Sequence, residues 1–201
     1  MVPKRRRRAT VDGDARKLIL DAAEKLIAAS GFDATSTTVV AESAGVPKGL
    51  VFYYFPTKEA ILRALLTERL PTEPLTDIAA VVTPGDPAAS LLNLDAALNL
   101  RQHRSPVLRV ILWREAETHP DVRDRLRGLR AHLIDTTVRV LAASAPNSVA
   151  PGTLRACATA WVAAMLSLAN RDRWHALDGL PPVDDLHGVA NVVAAAMTQL
   201  G

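Results

Sequence analysis

At 201 residues, 49% apolar and only 4% aromatic, the chain can bury a sizeable core that leucine, alanine and valine must fill. A single cysteine, Cys157, excludes an intrachain disulfide and a thiolate zinc cluster; the basic N-terminus lacks the apolar stretch of a secretory signal. No apolar run is read as approaching the roughly eighteen residues of a membrane span, so a soluble cytoplasmic protein with no membrane partner is expected. The net charge of +3 is uneven: residues 1–70 hold 12 Lys/Arg against 8 Asp/Glu, and residues 71–201 hold 12 against 13. Lys4 and Arg5 to Arg8 supply most of that excess, so charge alone is weak evidence for a nucleic-acid partner.

Strong helix formers dominate, and no segment alternates apolar and polar residues long enough for a sheet, which predicts an all-α protein of about nine helices. Residues 1–11 read as a basic disordered tail. A first helix is expected from Asp14 to Ser30, with Leu18, Ala22, Leu26 and Ile27 as its apolar stripe and Gly31 as its stop. A second starts near Ser36, capped by Thr35 or Ser36. A third covers Lys48 to Tyr54, and a fourth opens at Thr57 after Pro56 and runs to about Leu70. Residues 12–70 are thus one domain, followed by a Pro-rich connection at 71–87 with Pro71, Pro74, Pro84 and Pro87. Residues 88–201 form a second domain, with helices expected at Ala88–His103, Pro106–Glu117, Pro120–Ser144, Thr153–His175 and Asp184–Leu200. The Thr118-His119-Pro120-Asp121 run reads as a helix start.

The stretch TSTTVVAESAGVPKGLVFYYFPTKE, residues 35–59, is the most informative. Within a unit at about 37–56, small Ala41 falls fifth, Gly45 ninth and Val51 fifteenth. Two helices that cross steeply need a small contact residue, a turn residue tolerant of positive φ, and an apolar plug from the second helix. The spacing is that of a helix-turn-helix, and the N-terminal domain is read as a three-helix DNA-binding unit. With Ile19-Leu20-Asp21-Ala22-Ala23, Leu26, Gly31-Phe32, Thr35-Ser36, Val40-Ala41, Ala44-Gly45-Val46, Lys48-Gly49, Tyr54-Phe55 and Lys58-Glu59, the run 16–62 resembles the DNA-binding domain of TetR-family transcriptional regulators. It departs from the usual pattern at Leu50, Phe52 and Tyr53, which affects base-reading detail.

A recognition helix presents its N-terminal residues to the major groove. Pro47, Lys48, Gly49 and Leu50 hold that end, and Gly49 permits close backbone approach. Leu50 and Phe52 suit apolar contact with a thymine methyl, and Tyr53 and Tyr54 offer hydroxyls to phosphate. Thr35, Ser36 and Thr37 would anchor the other flank. The resemblance implies a phosphate contact for Lys58. Structural alternatives stand beside these: Phe52, Phe55 and Tyr54 also fit a core, and Lys48 and Lys58 ordinary solvated lysines.

The resemblance further implies a homodimer on a palindromic double-stranded operator and a small-molecule effector in the second domain. The last two helices offer Ala156, Ala160, Ala163, Ala164 and Leu168, and Val189, Val192, Val193, Ala196 and Met197, for a four-helix interface; an intramolecular core uses the same residues equally well. Leu94, Leu98, Trp113, Trp161, Met165 and Trp174, with Asn93, His103 or Asn170, are candidates to line a site for a mostly apolar ligand. The expected function is a transcriptional regulator, by family default a repressor released by ligand; the alternative is a ligand-independent regulator or a helical protein-interaction module. The five histidines lack ligand spacing, and no phosphate loop or nucleophile elbow is present, so neither an enzyme nor a metal or other cofactor is expected. Cys157 reads as a small buried side chain, and Arg114, Glu115 and Glu117 as solvated helix charges.

Overall fold

The computed structural model describes residues 4–70, 75, 77–100, 107–179 and 186–199. Those residues form nine α-helices and no strand: α1 (Lys4–Ser30), α2 (Thr37–Ala44), α3 (Lys48–Tyr54), α4 (Lys58–Glu68), α5 (Pro87–Leu98), α6 (Leu112–Glu115), α7 (Pro120–Ser144), α8 (Pro151–Leu177) and α9 (Leu186–Gln199). A π-helical turn, Val107–Ile111, leads into α6, where one continuous helix was expected. The chain divides into two compact units, residues 1–71 with 105–125, and residues 72–104 with 126–201. Segment 105–125 therefore belongs with the helix-turn-helix, which corrects the division into 12–70 and 88–201. Buried polar contacts between this segment and residues 27–33 explain why.

In the first unit α1 starts at Lys4, so residues 4–11, expected to be disordered, are helical. Lysine, arginine and alanine favour helix, and extending an anchored helix carries no new nucleation penalty. Its buried face is Ala15, Ile19, Leu20, Ala22, Ala23 and Ile27. Leu18, placed on the apolar stripe from sequence, is 49% exposed, whereas Ile19 is fully buried. α1 packs on α2, α3, α4 and the π-turn, and α4 answers with Ile61, Leu62, Leu65 and Leu66. Gly31, at φ +90°, ends α1 by donating its N–H to the Ile27 carbonyl at 2.8 Å.

Arg16 on α1 grips Glu68 on α4 with both terminal nitrogens, one at 2.6 Å. That hydrogen bonding holds the Glu68 carboxyl below the usual glutamate range and raises Arg16. A carboxyl whose folded pKa is depressed stabilises the fold above its unfolded value and ceases to do so as pH falls through the folded one. Both side chains are nearly two-fifths exposed, so solvent screening limits the pair to about 0.2–1 kcal/mol. Arg16→Ala should therefore lower unfolding free energy by about that amount at neutral pH, with the difference closing below the ordinary glutamate range near about 4.3. Urea titrations of both proteins across pH would show it; a difference that persists in strong acid would rule out the ion pair as its source.

In the second unit Asp86 caps α5 by accepting the Ala89 N–H at 2.9 Å, with Pro87 in the first turn. Val81, Leu94 and Val140 form a buried cluster, flanked by Leu75, Ile78, Val82 and Leu98. Part of the Pro-rich connection is thus core, and the Gly85 N–H is tied to the Ser144 carbonyl at 2.9 Å. Both α5 and α8 pack on α9. Cys157 is buried against the Val193 carbonyl, Sγ to O 3.9 Å, and burial pushes its thiol pKa up. Contrary to the reading of apolar runs, residues 151–169 are long and apolar enough to cross a membrane, with mean hydropathy 1.3. One such helix is weak evidence of a membrane segment. Ala158, Trp161 and Val162 on it are fully buried, and Arg155 pairs with Asp135 of α7 at 3.2 Å.

Candidate nucleic-acid interface

The sequence spacing at 37–56 produces the crossing it requires. Ser36 caps α2 by accepting the Val39 N–H at 3.2 Å. Gly45 closes α2 at φ +66°, where a Cβ would be strained; its N–H and that of Val46 bond back to Glu42 and Ala41 at 3.1 and 3.0 Å. Val51 of α3 is fully buried, Val40 and Ala41 of α2 are buried too, and the two helices pack on each other. The turn, the small residue and the plug together fix the crossing of the two helices.

That crossing presents one face of α3 outward. Pro47, Lys48 and Gly49 are exposed, and a Cβ on Gly49 would meet nothing within 4 Å. Phe52 is 43% and Tyr53 73% exposed. Lys48 Nζ lies 5.9 Å from the Phe52 ring centroid, and Tyr53 stacks edge-on against Tyr54 at 5.0 Å. Leu50 and Tyr54 are half-buried, so each divides itself between support and surface. Phe55 is core, 2% exposed, with the Arg16 guanidinium 5.1 Å from its ring centroid. Exposed cation, aromatic rings and open glycine backbone thus share the leading helix end.

The other flank divides. Ser36 is exposed and Thr37 half-buried at the α2 N-terminus, as expected of an anchor. Thr35 is only 3% exposed, and its hydroxyl donates to the Gly31 carbonyl at 2.8 Å. It is therefore a structural group, correcting its placement at the interface. Lys58 donates to the Phe32 and Asp33 carbonyls at 2.8 and 3.2 Å and sits 4.3 Å from the Phe32 ring centroid. The ammonium leaves one donor for a further partner.

Glu115, read from sequence as solvated, is 4% exposed. It accepts the buried Phe32 N–H at 3.0 Å, while Arg114 donates to the Ile27 carbonyl at 3.2 Å. Segment 105–125 was not connected with the interface from sequence because a carboxylate 83 positions away carries no periodic signal of its partner. The Thr118–Asp121 run does open a helix, α7, as expected.

The residues expected to bind ligand or a second chain lie in both units. Leu94 and Trp161 are fully buried, Met165 is 1% exposed, and Leu98 flanks the Val81 cluster. Trp113 is half-buried in the first unit, apart from that set. Asn93 is engaged with the Val81 carbonyl and the Thr83 hydroxyl, both at 3.3 Å. Asn170, Trp174 and His103 lie outside the residues whose side chains are described. Of the dimer candidates, Leu168, Val193 and Met197 are buried within the single chain, as the alternative of an intramolecular core expects. Each satisfies apolar periodicity by packing inside its own chain. Ala164, Val189 and Ala196 are half-buried, while Ala156, Ala160, Ala163 and Val192 are exposed.

Residues 19–65 match the family model described as bacterial regulatory proteins, tetR family. The chain is 36% identical over 73 residues to the HTH-type transcriptional regulator YuxN of Bacillus subtilis (strain 168), covering 36% of this chain and 25% of YuxN. It is 28% identical over 158 residues to the HTH-type transcriptional regulator EthR of Mycolicibacterium smegmatis, covering 77% and 72%. With YvkB of Bacillus subtilis (strain 168) it is 32% identical over 109 residues, so the chain spans a quarter to about half the length of the two Bacillus relatives, 25% and 54%. Among solved structures, a TetR-like regulator from Rhodococcus sp. RHA1 aligns over 92% of this chain and 94% of its own at TM-score 0.62 and 22% identity. NalD of Pseudomonas aeruginosa, described as the secondary repressor of the MexAB-OprM multidrug efflux pump, aligns over 92% and 95% at TM-score 0.63 and 23% identity. These structures share the fold: an N-terminal helix-turn-helix followed by a helical body. With that fold and the Ala41–Gly45–Val51 spacing, residues 19–65 carry a DNA-binding domain of the kind found in bacterial regulatory proteins of the tetR family.

Proposed function

We propose that this protein is a sequence-specific DNA-binding transcriptional regulator that acts in the cytoplasm, without enzymatic activity, as a homodimer on a palindromic operator. The observation that carries the reading is the outward face of α3, where Pro47, Lys48, Gly49, Phe52 and Tyr53 are exposed on a helix locked to α2. A single unit of this kind reads only a few base pairs, and a two-fold pair places recognition helices about 34–36 Å apart, one turn of B-DNA. Exposed Ala156, Ala160, Ala163 and Val192 on α8 and α9 support that pairing. The test is selection of duplexes from a fragmented genomic library by the full chain, followed by footprinting; failure to enrich any duplex would sink the reading.

Release by a small, mostly apolar effector in the second unit is the regulatory part of the proposal, and repression is supported by the fold shared with the repressor NalD. Such an effector must prefer the low-affinity state, and DNA must weaken its binding by the same factor. Leu94, Leu98, Trp161 and Met165 are the proposed lining. The Trp161 indole N–H is buried without an acceptor among the described residues and suits an acceptor atom on the ligand. The near-zero exposure of Leu94 and Trp161 also favours a second reading, a solid core and a ligand-independent regulator.

For DNA, Lys58 offers its remaining donor to a phosphate. Lys58→Ala should weaken binding uniformly across sequences and reduce the salt slope by about one. Filter binding at several salt concentrations decides this, and a slope equal to the parent's would remove Lys58 from the phosphate contacts.

A further inference from the structure

Most of the backbone hydrogen bonding in the turn after α1 runs through three side chains, Thr35, Lys58 and Glu115. The Gly31 carbonyl accepts from the Thr35 hydroxyl, the Phe32 carbonyl from the Thr35 N–H at 3.0 Å and from Lys58, and the Asp33 carbonyl from Lys58. The buried Phe32 N–H has Glu115 Oε1 as its acceptor, from 83 residues further along the chain. Beside it, the His119 ring packs edge-on against Phe32 with centroids 4.6 Å apart, and its Nε2 lies 3.5 Å from the second Glu115 oxygen. A Cβ added at Gly31 would stand 3.7 Å from both Arg114 and Glu115, so only a side-chain-sized gap separates the turn from these two residues.

We infer that Glu115 is a positioning residue for DNA binding: its carboxylate fixes the turn at residues 31–35 and thereby sets the α2 N-terminus, Ser36 and Thr37, for the phosphate backbone. The inference rests on the DNA-binding reading above. A carboxylate accepting a backbone N–H makes one of the stronger protein hydrogen bonds, and an unsatisfied buried N–H is costly. Removing the acceptor lets the turn seek water, and the cap at Ser36, four residues on from Phe32, moves with it. Glu115 is buried and acidic and so offers no phosphate contact of its own, and its loss should change affinity without changing the number of ions released.

The test compares Glu115→Ala with Glu115→Gln in the full chain. Glutamine keeps an amide oxygen as acceptor for Phe32; alanine keeps none. E115A should lose about tenfold or more in operator affinity, the factor expected from about 1.4 kcal/mol, at an unchanged salt slope. Its Phe32 amide should exchange faster with deuterium in the DNA-free protein. E115Q should bind within about threefold of the parent, well under the loss of a buried hydrogen bond, and keep Phe32 protected. If E115A does not fold, Glu115→Asp, which draws the same charge back by one methylene, replaces it with the same expectations. Parent-like affinity in E115A, or equal losses in E115A and E115Q, would overturn the inference. A parent protein that binds no duplex would instead mark failure of the DNA-binding reading.

Discussion

Val51→Asp should abolish the folded helix-turn-helix and all duplex binding. Val51 is fully buried where α3 crosses α2, and no basic partner lies opposite on α2, which carries Thr37, Thr38, Val39, Val40, Ala41, Glu42, Ser43 and Ala44. An unpaired carboxylate there costs several kcal/mol, a large fraction of the ~5–15 kcal/mol that holds a domain together. Val51→Ala, which only opens a small cavity, should cost about 2 kcal/mol and leave a folded protein of weakened affinity. Val39→Asp supplies the control: Val39 is on the same helix pair but 43% exposed, so its change should stay within about 0.5 kcal/mol. Thermal melts by circular dichroism, with duplex binding measured below the transition, separate the three. A Val51→Asp protein that melts with the parent would show that the crossing does not hold the unit together.

Trp161→Ala should produce the largest loss in the second unit, about 3–5 kcal/mol, because it removes the most voluminous fully buried side chain described. Trp161→Phe separates volume from polarity. It gives up some packing but also removes an indole N–H that has no acceptor among the described residues, and an orphaned buried donor is a burden on the folded state. The net change should be under about 1.5 kcal/mol, in the range of conservative core replacements. Denaturant unfolding followed at two wavelengths would give both values. A Trp161→Phe loss as large as that of Trp161→Ala would mean that the N–H has a partner, which would also remove the donor proposed for an effector.

The two substitutions bear on different kinds of knowledge. Val51 was legible because a helix-turn-helix compresses its requirements into twenty consecutive residues, and Ala41, Gly45 and Val51 each answer a local steric demand. The positive φ at Gly45 and Gly31 and the caps at Ser36 and Thr57 were equally legible, since the partner lies within four residues. Leu18 misled for a related reason: helical period alone does not separate positions 18 and 19, and only packing on α2 to α4 shows that Ile19 faces inward. Leu168, Val193 and Met197 satisfied the pattern of an interface and of a core alike. Thr35 and Lys58 carried hydrogen-bonding groups whose number was evident but whose partners, on the turn at 31–33, were not.

The sequence by itself determined the all-helical class and the helix-turn-helix between residues 37 and 56, because period, caps and turn glycines act over a few residues. Only the tertiary structure decided that residues 105–125 belong with that unit, that Glu115 is buried on the Phe32 N–H, and which apolar residues of α8 and α9 stay at the surface. Those outcomes depend on contacts between residues tens of positions apart. Their energy comes from removing specific groups from water together, and no local pattern records which groups those are.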